Sequence, residues 1–305
     1  MRLTKRELTF LAKTFPQTNT LSLFSNIDAP LQGDEQKTLE EKGVLAGGQQ
    51  TQEANNLLIA MANPQRCTRI VLKDGTYLIE KYTYKVGESL TLAENSGGEI
   101  ILSSQQKLDE ALFQFSQWVG MSDLKTFNMG TVLTSSELLV LLAMVDIRRK
   151  NVLMSYLDIE VKSFISFGQI RKQLDKPEPN SLTRILAGNY NYSIPKIEDT
   201  KGILDQLAAK KIVAFSTGYS LIDQYEEFAK NFLIPQTVVM LETFNLTEKT
   251  EIAGAGVLCV CAGMREIMSI VFREGVAEIA SISGRQLLKM IENFMNCPDV
   301  LRNEA

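Results

Sequence analysis

The chain contains no histidine among its 305 residues. Histidine is the usual general base near neutral pH, and it also activates serine and cysteine nucleophiles and ligates metals. Several large classes of enzyme therefore lose their customary catalytic group. This absence moves the expected function from catalysis towards binding, and the sequence offers no catalytic residue, metal site or cofactor site.

Long apolar runs are also missing. Residues 138–145 and 257–261 are among the longest, and they fall far short of the ~20 residues that a membrane-spanning helix needs. Glu7 and Lys13 interrupt the first predicted helix, which therefore lacks the residue order of a signal peptide. We expect a cytosolic protein that does not insert directly into a membrane.

Cysteine is scarce and scattered. The four cysteines, Cys67, Cys259, Cys261 and Cys297, show no CxxC spacing of the kind found in metal knuckles and redox pairs. Free cysteine is among the residues most often buried. We interpret these four as reduced thiols of the core.

The chain does contain an internal repeat. Residues 3–11 recur as residues 133–141, and in both copies a threonine stands three positions before a glutamate, Thr4 before Glu7 and Thr134 before Glu137. This spacing is typical of a capping box, in which the threonine and the glutamate satisfy each other's backbone amides at the start of a helix. The sequence therefore predicts that a capped helix opens each copy.

The similarity continues to the end of the chain. A later helix stops at Pro64 in the first copy and at Pro235 in the second, because proline lacks a donor and disfavours helix in the residue before it. A closing strand and helix match with a constant shift of 179 residues, from Glu99 and Phe115 to Glu278 and Phe294. Such ordered self-similarity indicates duplication. We assign residues 1–120 to the first repeat, 121–132 to a linker and 133–305 to the second repeat, with a helical insertion at about 151–188. The alternative organisation is one fused globular unit.

Alternating apolar residues and turn signals predict the strands of both copies. In the first copy they lie at 68–72, 76–84, 89–93 and 99–103, and in the second at about 236–244, 253–261, 266–272 and 276–282. The predicted fold class is α/β (α+β), an internally duplicated pseudo-two-fold fold with antiparallel sheet or sheets flanked by helices.

Three motifs could indicate other functions, and each also has a purely structural interpretation. Residues 254–256 read Gly-Ala-Gly, but they begin a strand and are not followed by a phosphate-binding pattern. The basic run 148–150 is interpreted as a helix C-terminus, since the chain carries a net charge of −4. A winged-helix DNA-binding regulator remains the alternative function, although its predicted recognition helix, residues 35–42, is acidic. A weaker third possibility is an enzyme with a carboxylate site in the insertion.

The repeated motifs resemble the EspG family of chaperones that serve type VII (ESX) secretion. The resemblance rests on Leu-Thr-x-x-Glu-Leu at residues 3–8, on Lys-Gly-Val-Leu at 42–45 followed by a glycine pair at 47–48, and on Met-Ala-Asn-Pro at 61–64. It covers nearly the whole chain. It implies a pseudo-symmetric α/β fold and a cytosolic protein, not an enzyme, that keeps helical secretion substrates soluble until they reach the secretion ATPase.

The usage of lysine, asparagine and isoleucine looks more like that of a low-GC Gram-positive bacterium than that of mycobacterial family members. The implied partner is accordingly a helical secretion substrate of the WXG100, LXG or PE/PPE-like type, and no nucleic acid.

A chaperone needs exposed apolar surface, and alternate residues of a strand provide it. Tyrosine and methionine suit an adaptable interface. The candidate partner-binding residues are therefore Tyr82, Tyr84, Glu242, Phe244, Met268 and Phe272. The competing interpretation is that these side chains belong to the core or are half buried in the sheet.

Overall fold

The computed structural model describes residues 1–190, 197–273 and 275–300, apart from the side chains of residues 26, 189 and 190. It shows a mixed fold of α-helices and antiparallel β-strands, which confirms the predicted fold class. Among the described residues, none of the helices combines the length and the apolar character required to cross a bilayer.

The strands and helices follow one another in an order that recurs along the chain. The strands are β1 (Arg2–Thr4), β2 (Leu45–Ala46), β3 (Gln49–Gln50), β4 (Arg66–Asp74), β5 (Tyr77–Val86), β6 (Ser89–Ser96), β7 (Glu99–Ser104), β8 (Gly130–Thr134), β9 (Val213–Phe215), β10 (Tyr219–Leu221), β11 (Thr237–Leu246), β12 (Ile252–Cys261), β13 (Ile267–Arg273) and β14 (Val276–Ile282). The helices are α1 (Lys5–Ala12), α2 (Glu35–Glu41), α3 (Gln52–Ala62), α4 (Leu108–Val119), α5 (Ser135–Ser155), α6 (Phe167–Asp175), α7 (Leu182–Tyr190), α8 (Thr200–Ala209), α9 (Asp223–Asn231) and α10 (Gly284–Met295).

The chain divides into two compact units. Unit one contains Met1–Gln117, Leu241–Gly256 and the residues from Leu288 onward. Its strands follow the order β1-β7-β6-β5-β4, after which come the later part of β11 and the early part of β12. The hairpin of β2 and β3 stands apart from this sheet.

Unit two contains Trp118–Met240 and Val257–Leu287. Its strands follow the order β11-β12-β13-β14-β8, in which β11 contributes its early residues and β12 its late ones. The hairpin of β9 and β10 is again separate. The predicted repeats do not coincide with these units. Each predicted repeat is one continuous stretch of chain, whereas each unit contains more than one segment.

The succession of elements from β1 to α4 matches that from β8 to α10 once α6 and α7 are set aside. The strand order β1-β7-β6-β5-β4 likewise matches β8-β14-β13-β12-β11. The pairing differs in one respect, because Thr4 lies opposite Glu99 whereas Thr134 lies opposite Val276. Glu99 corresponds to Glu278 in the second copy, so an identical register would place Thr134 opposite Glu278. The pairing in the second copy is therefore displaced by two residues. A displacement by an even number leaves each side chain on the same face of the sheet. Duplication remains our interpretation of this recurrence.

Both predicted capping boxes are present. The Thr4 Oγ1 accepts from the Glu7 amide at 3.2 Å, and Glu7 Oε2 accepts from the Thr4 amide at 2.7 Å. Thr134 and Glu137 form the same two bonds, at 3.2 Å to the Thr134 Oγ1 and at 2.7 Å to the Glu137 Oε2. The sequence therefore identified the start of both helices from four residues.

The core of unit one lies between its sheet and helices α1, α2 and α3. Its members are fully or almost fully buried and come from both layers: Leu3, Leu8, Leu11, Leu39, Leu58, Met61, Tyr84, Ala93 and Leu102. Burial of these apolar side chains is the main stabilising contribution in such a two-layer arrangement.

The core of unit two surrounds α5. Every residue from 138 to 145 is completely buried, so this part of α5 is apolar around its whole circumference, as expected for a helical segment covered on all sides. Next to it, the ring of Phe127 lies 4.9 Å from that of Phe228, which lies 5.0 Å from that of Phe232. This aromatic group closes the core beside α9.

Several predictions about local structure were wrong. The linker 121–132 includes the first residues of β8, which the sequence did not reveal because the segment has too few residues to show alternation. The apolar residues at 21–24 predict a short strand, but Leu23–Asn26 form a 3₁₀ turn. The sequence predicts that the second capped helix ends at residue 147, but α5 continues to Ser155.

The sequence also predicts a frayed tail at residues 298–305. Residues 301–305 lie outside the described residues, so this stays a prediction.

Candidate functional site

Two of the six candidate partner-binding residues belong to the core. Tyr84 is 3% exposed and Met268 is 1% exposed, because each points from its strand into the layer of packed side chains. A buried side chain presents no surface to a partner, so we remove both residues from the candidate surface. The other four, Tyr82, Glu242, Phe244 and Phe272, are half buried.

On unit one, Tyr82 and Glu242 are joined by a polar network across three strands. The Arg69 guanidinium donates to Glu80 Oε1 at 2.8 Å and to Glu242 Oε2 at 3.2 Å, and the Tyr82 hydroxyl donates to Glu80 Oε1 at 2.9 Å. Burial, together with the bond to Glu80, raises the pKa of Tyr82 to about 12. We call Arg69, Glu80, Tyr82 and Glu242 the sheet network. Its two carboxylates share one cation.

Phe244 lies beside the sheet network on β11. A Cβ added at Gly254 would stand 3.1 Å from the Phe244 ring, so the ring covers the glycine on the neighbouring strand. Phe272 belongs to unit two and is therefore not grouped with these residues. The six predicted residues consequently do not form one site within either unit.

The two most exposed large apolar side chains in the described part of unit two follow the end of α5, Leu157 at 72% and Tyr156 at 70%. Ile159, two residues further along the chain, is 44% exposed. Clustered exposed apolar side chains are typical of interaction surfaces. These three residues lie at the start of the predicted helical insertion.

A surface cavity of about 410 Å³ lies beside these residues. Its charged lining residues are all cations, Arg148, Lys162 and Lys230, and Val152, Tyr156 and Val161 supply its apolar wall. Glu226 pairs with both Arg148 and Lys230, at 2.6 and 3.1 Å. Two of the three cations thus share one carboxylate, and Lys162 lies over the ring of Phe164, 5.5 Å from its centroid. We call Tyr156, Leu157, Ile159 and this cavity the insertion patch.

A buried ion pair anchors the insertion. Asp146 Oδ1 accepts from Arg149 Nε at 2.9 Å, and Asp146 also accepts from the amide of Leu182, where α7 begins. Arg149 donates in turn to the carbonyl of Leu233 at 2.8 Å and to that of Asn180 at 2.5 Å. Burial raises the pKa of Asp146 to about 6, although Arg149 and the Leu182 amide act in the opposite direction.

This geometry corrects the interpretation of the basic run 148–150. These three residues lie within α5 rather than at its C-terminus, and each contacts a different carboxylate, those of Glu226, Asp146 and Glu178. The run therefore forms structural ion pairs. The run is not a separate patch of unpaired positive charge.

Few side chains are available for metal binding, thiol chemistry or DNA binding. Within the described ranges, no three carboxylate or thiol side chains come together in a way that could hold a metal ion. Cys259, Cys261 and Cys297 are buried as predicted, whereas Cys67 is half buried. Burial raises the pKa of Cys67 to about 12 and therefore keeps it a thiol. Helices α2 and α3, which a winged-helix unit would use, carry a single basic residue, Lys37.

No protein-family model matches the chain, and no curated protein does. Among solved structures, the chain is similar to the type VII secretion system chaperone EspG5 of Mycobacterium tuberculosis, whose structure was solved in complex with a PE25–PPE41 dimer. The match has a TM-score of 0.54 and covers 98% of this chain and 97% of that one, at 8% sequence identity. The chain has an EspG-like fold. At this identity the likeness establishes the fold alone.

The sequence predicted the helical insertion as the second location for partner binding, after the strand residues, but it did not reveal that Tyr156 and Leu157 are exposed. Apolar residues at helical spacing usually face a core, so the sequence predicts that these two residues pack within the insertion. The missing information is the C-terminus of α5 at Ser155, which places these residues beyond the helix. Leu-Asp-Ile-Glu at 157–160, an alternation of apolar and acidic residues, was the available signal of an exposed segment.

Proposed function

We propose that this protein is a cytosolic, non-enzymatic chaperone of a type VII (ESX) secretion system that binds an α-helical secretion substrate. The observation that carries the proposal is the EspG-like fold, which extends over almost the whole chain. The lack of histidine and the resemblance of the repeated motifs to the EspG family support it from the sequence.

We further propose that the insertion patch receives the substrate. Its exposed side chains include a tyrosine, a leucine and an isoleucine, and aromatic and aliphatic anchors beside a cavity contribute most to helix-in-groove recognition. The surplus of cations in the cavity favours a carboxylate on the substrate. The expected ligand is an amphipathic helix with an acidic residue next to its apolar face.

The substrate would be of the PE/PPE-like, WXG100 or LXG type. All three are helical, so the chemistry of the insertion patch does not separate them. The solved EspG5 complex contains a PE25–PPE41 dimer, which favours the PE/PPE-like type. The lysine, asparagine and isoleucine usage, which resembles that of a low-GC Gram-positive bacterium, favours the WXG100 and LXG types.

Co-purification tests the proposal. The tagged chain is isolated from the cytosol of the cell that makes it, and the proteins that accompany it are identified by mass spectrometry. We expect a small helical secretion substrate as the main companion. Recovery of the chain with nucleic acid and no such substrate, with retention on heparin that weakens as salt is raised, would instead support the DNA-binding alternative.

A further inference from the structure

The three cations of the insertion patch are not equivalent. Arg148 donates to both oxygens of the Glu226 carboxylate, at 2.9, 2.9 and 2.6 Å, and Lys230 lies 3.1 Å from the same carboxylate. Lys162 is exposed, and in the described part of the chain no carboxylate pairs with its ammonium. Its charge is therefore the one that a partner can still neutralise.

Lys162 is held in place although it is exposed. Its ammonium lies over the ring of Phe164, 5.5 Å from the centroid, and this contact favours a cation while the ammonium keeps donors for a second partner. The Phe164 ring in turn covers Gly218, where an added Cβ would overlap the ring. The ring can occupy this position only because residue 218 has no side chain.

The β9–β10 hairpin also fixes this segment through its backbone. The Ile165 amide donates to the Tyr219 carbonyl at 2.7 Å, and the Tyr219 amide donates to the Ile165 carbonyl at 2.9 Å. The Ile165 side chain is 1% exposed and anchors the segment in the core. A lysine on a fixed segment loses less conformational entropy when it pairs than one on a free loop.

The cavity relates Lys162 to the exposed apolar residues. Lys162 and Tyr156 line the same cavity, and Tyr156 is one of the exposed residues that follow α5. A helix that packs an apolar side chain against Tyr156 can bring to Lys162 only residues close to that side chain on the same face. On a helix these are the residues three or four positions away. An acidic residue there would supply the carboxylate that Lys162 lacks.

We propose that Lys162 determines the charge specificity of the insertion patch. It binds a glutamate or aspartate three or four positions from the apolar anchor of the substrate helix, and Phe164 and Gly218 are its positioning residues. This inference rests on the proposed binding of a helical substrate at the insertion patch. Arg148 and Lys230 contribute less to the choice, because both already share Glu226. A lysine at the same position of the substrate is rejected by like charge.

Three labelled helical probe peptides test the assignment. They share the same stripe of leucines along one face and differ only at the positions four before and four after the central leucine, which are both Glu, both Gln or both Lys. Affinities for the full-length protein are measured by fluorescence anisotropy. We expect the Glu probe to bind about fivefold more tightly than the Gln probe, as a partly exposed ion pair allows, and the Lys probe to bind most weakly. The preference for Glu should shrink as salt is raised.

Variants of the protein assign this preference to one side chain. Lys162→Gln should abolish the preference for the Glu probe over the Gln probe, and Lys162→Arg should keep it. Lys201→Gln is the matched control, because it removes an exposed lysine of α8 that does not line the cavity, and it should also keep the preference. Gly218→Ala should displace the Phe164 ring and reduce the preference, while the affinity for the Gln probe stays unchanged.

Equal affinity of the wild type for the Glu and Gln probes, a preference that persists in Lys162→Gln, or its loss in Lys201→Gln would overturn the assignment. An unchanged preference in Gly218→Ala would overturn the positioning roles. Leu157→Asp separates this failure from failure of the proposed function. If it weakens binding of all three probes while the preference is absent, the insertion patch still binds helices and only the assignment falls. If no probe binds, or Leu157→Asp weakens none, the assignment and the proposed site are both wrong.

Discussion

The ammonium of Lys42 lies 2.9 Å from Oε2 of Glu7, a carboxylate whose side chain is only 5% exposed. Lys210 lies 2.8 Å from Glu137, which is 2% exposed, in the same relation. Each lysine also donates at 3.3 Å to a carbonyl two residues before the capping threonine, that of Arg2 or Val132. Helix α1 is therefore linked to the C-terminus of α2, and α5 to the C-terminus of α8, by equivalent contacts.

Removing either lysine should destabilise the protein. Lys42→Met leaves a buried carboxylate with only its threonine partner, and loss of a charged hydrogen bond costs about 1–3 kcal/mol in the free energy of unfolding. Lys210→Met should cost a similar amount. The control is Lys37→Met, whose pair with Glu41 is 3.9 Å long and exposed, and which should change stability by less than about 0.5 kcal/mol. Urea unfolding measures all three, and equal effects of Lys42→Met and Lys37→Met would contradict the structural role.

The same contacts predict a dependence of stability on pH. Burial raises the pKa of Glu7, but hydrogen bonds from Lys42 and Thr4 outweigh burial and lower it overall, and Lys210 and Thr134 do the same for Glu137. A lowered pKa in the folded state stabilises the protein above the unfolded pKa, about 4.3, and this contribution is lost as the pH falls through the folded pKa.

We expect the double variant Glu7→Gln/Glu137→Gln to be less stable than the wild type at pH 7 and to lose less stability between pH 5 and about pH 3. Urea unfolding across this range gives both quantities. A wild-type slope in the double variant would show that other carboxylates dominate acid unfolding.

The buried pair of Asp146 and Arg149 should hold the insertion in place. Arg149→Met leaves a buried carboxylate without its cation, and breaking such a pair costs about 3–5 kcal/mol. Hydrogen exchange should accelerate first in α7, whose first amide bonds to Asp146. Lys150→Met is the neighbouring control, because its partner Glu178 is 54% exposed, and it should be nearly neutral. Unchanged exchange in α7 of Arg149→Met would rule out the anchoring role.

Tyr82 and Tyr84 should differ sharply in their effect on stability. Their rings stack at 6.4 Å, but only Tyr84 belongs to the core of unit one. Tyr84→Ala should cost about 3–5 kcal/mol, as truncations of large core side chains do, whereas Tyr82→Ala should cost much less. Thermal unfolding of the two variants compares them. If both leave the melting temperature unchanged, Tyr84 is not a core residue.

The sequence predicted those features that local rules determine. Thr4 and Glu7 identify a helix start by themselves, and the strand pattern of residues 76–84 follows from alternation. The surface could not be predicted in the same way, because Tyr82 and Tyr84 share a face of β5 and only tertiary packing separates them: α3 packs on β5 and β6, and Tyr84 lies in the core with residues of α3. The sheet network joins residues that are 173 positions apart, Arg69 and Glu242, and no sequence spacing signals such a contact.

We propose that the insertion patch binds a helical secretion substrate, and the affinity of the co-purified substrate for two matched variants tests this proposal. Leu157→Asp places a charge within the insertion patch, and Leu78→Asp places one at another exposed leucine, 58% exposed on β5 of unit one. By isothermal titration calorimetry we expect Leu157→Asp to weaken binding at least about tenfold, as loss of an interface anchor does, and Leu78→Asp to leave it unchanged. Wild-type affinity in Leu157→Asp would contradict the account.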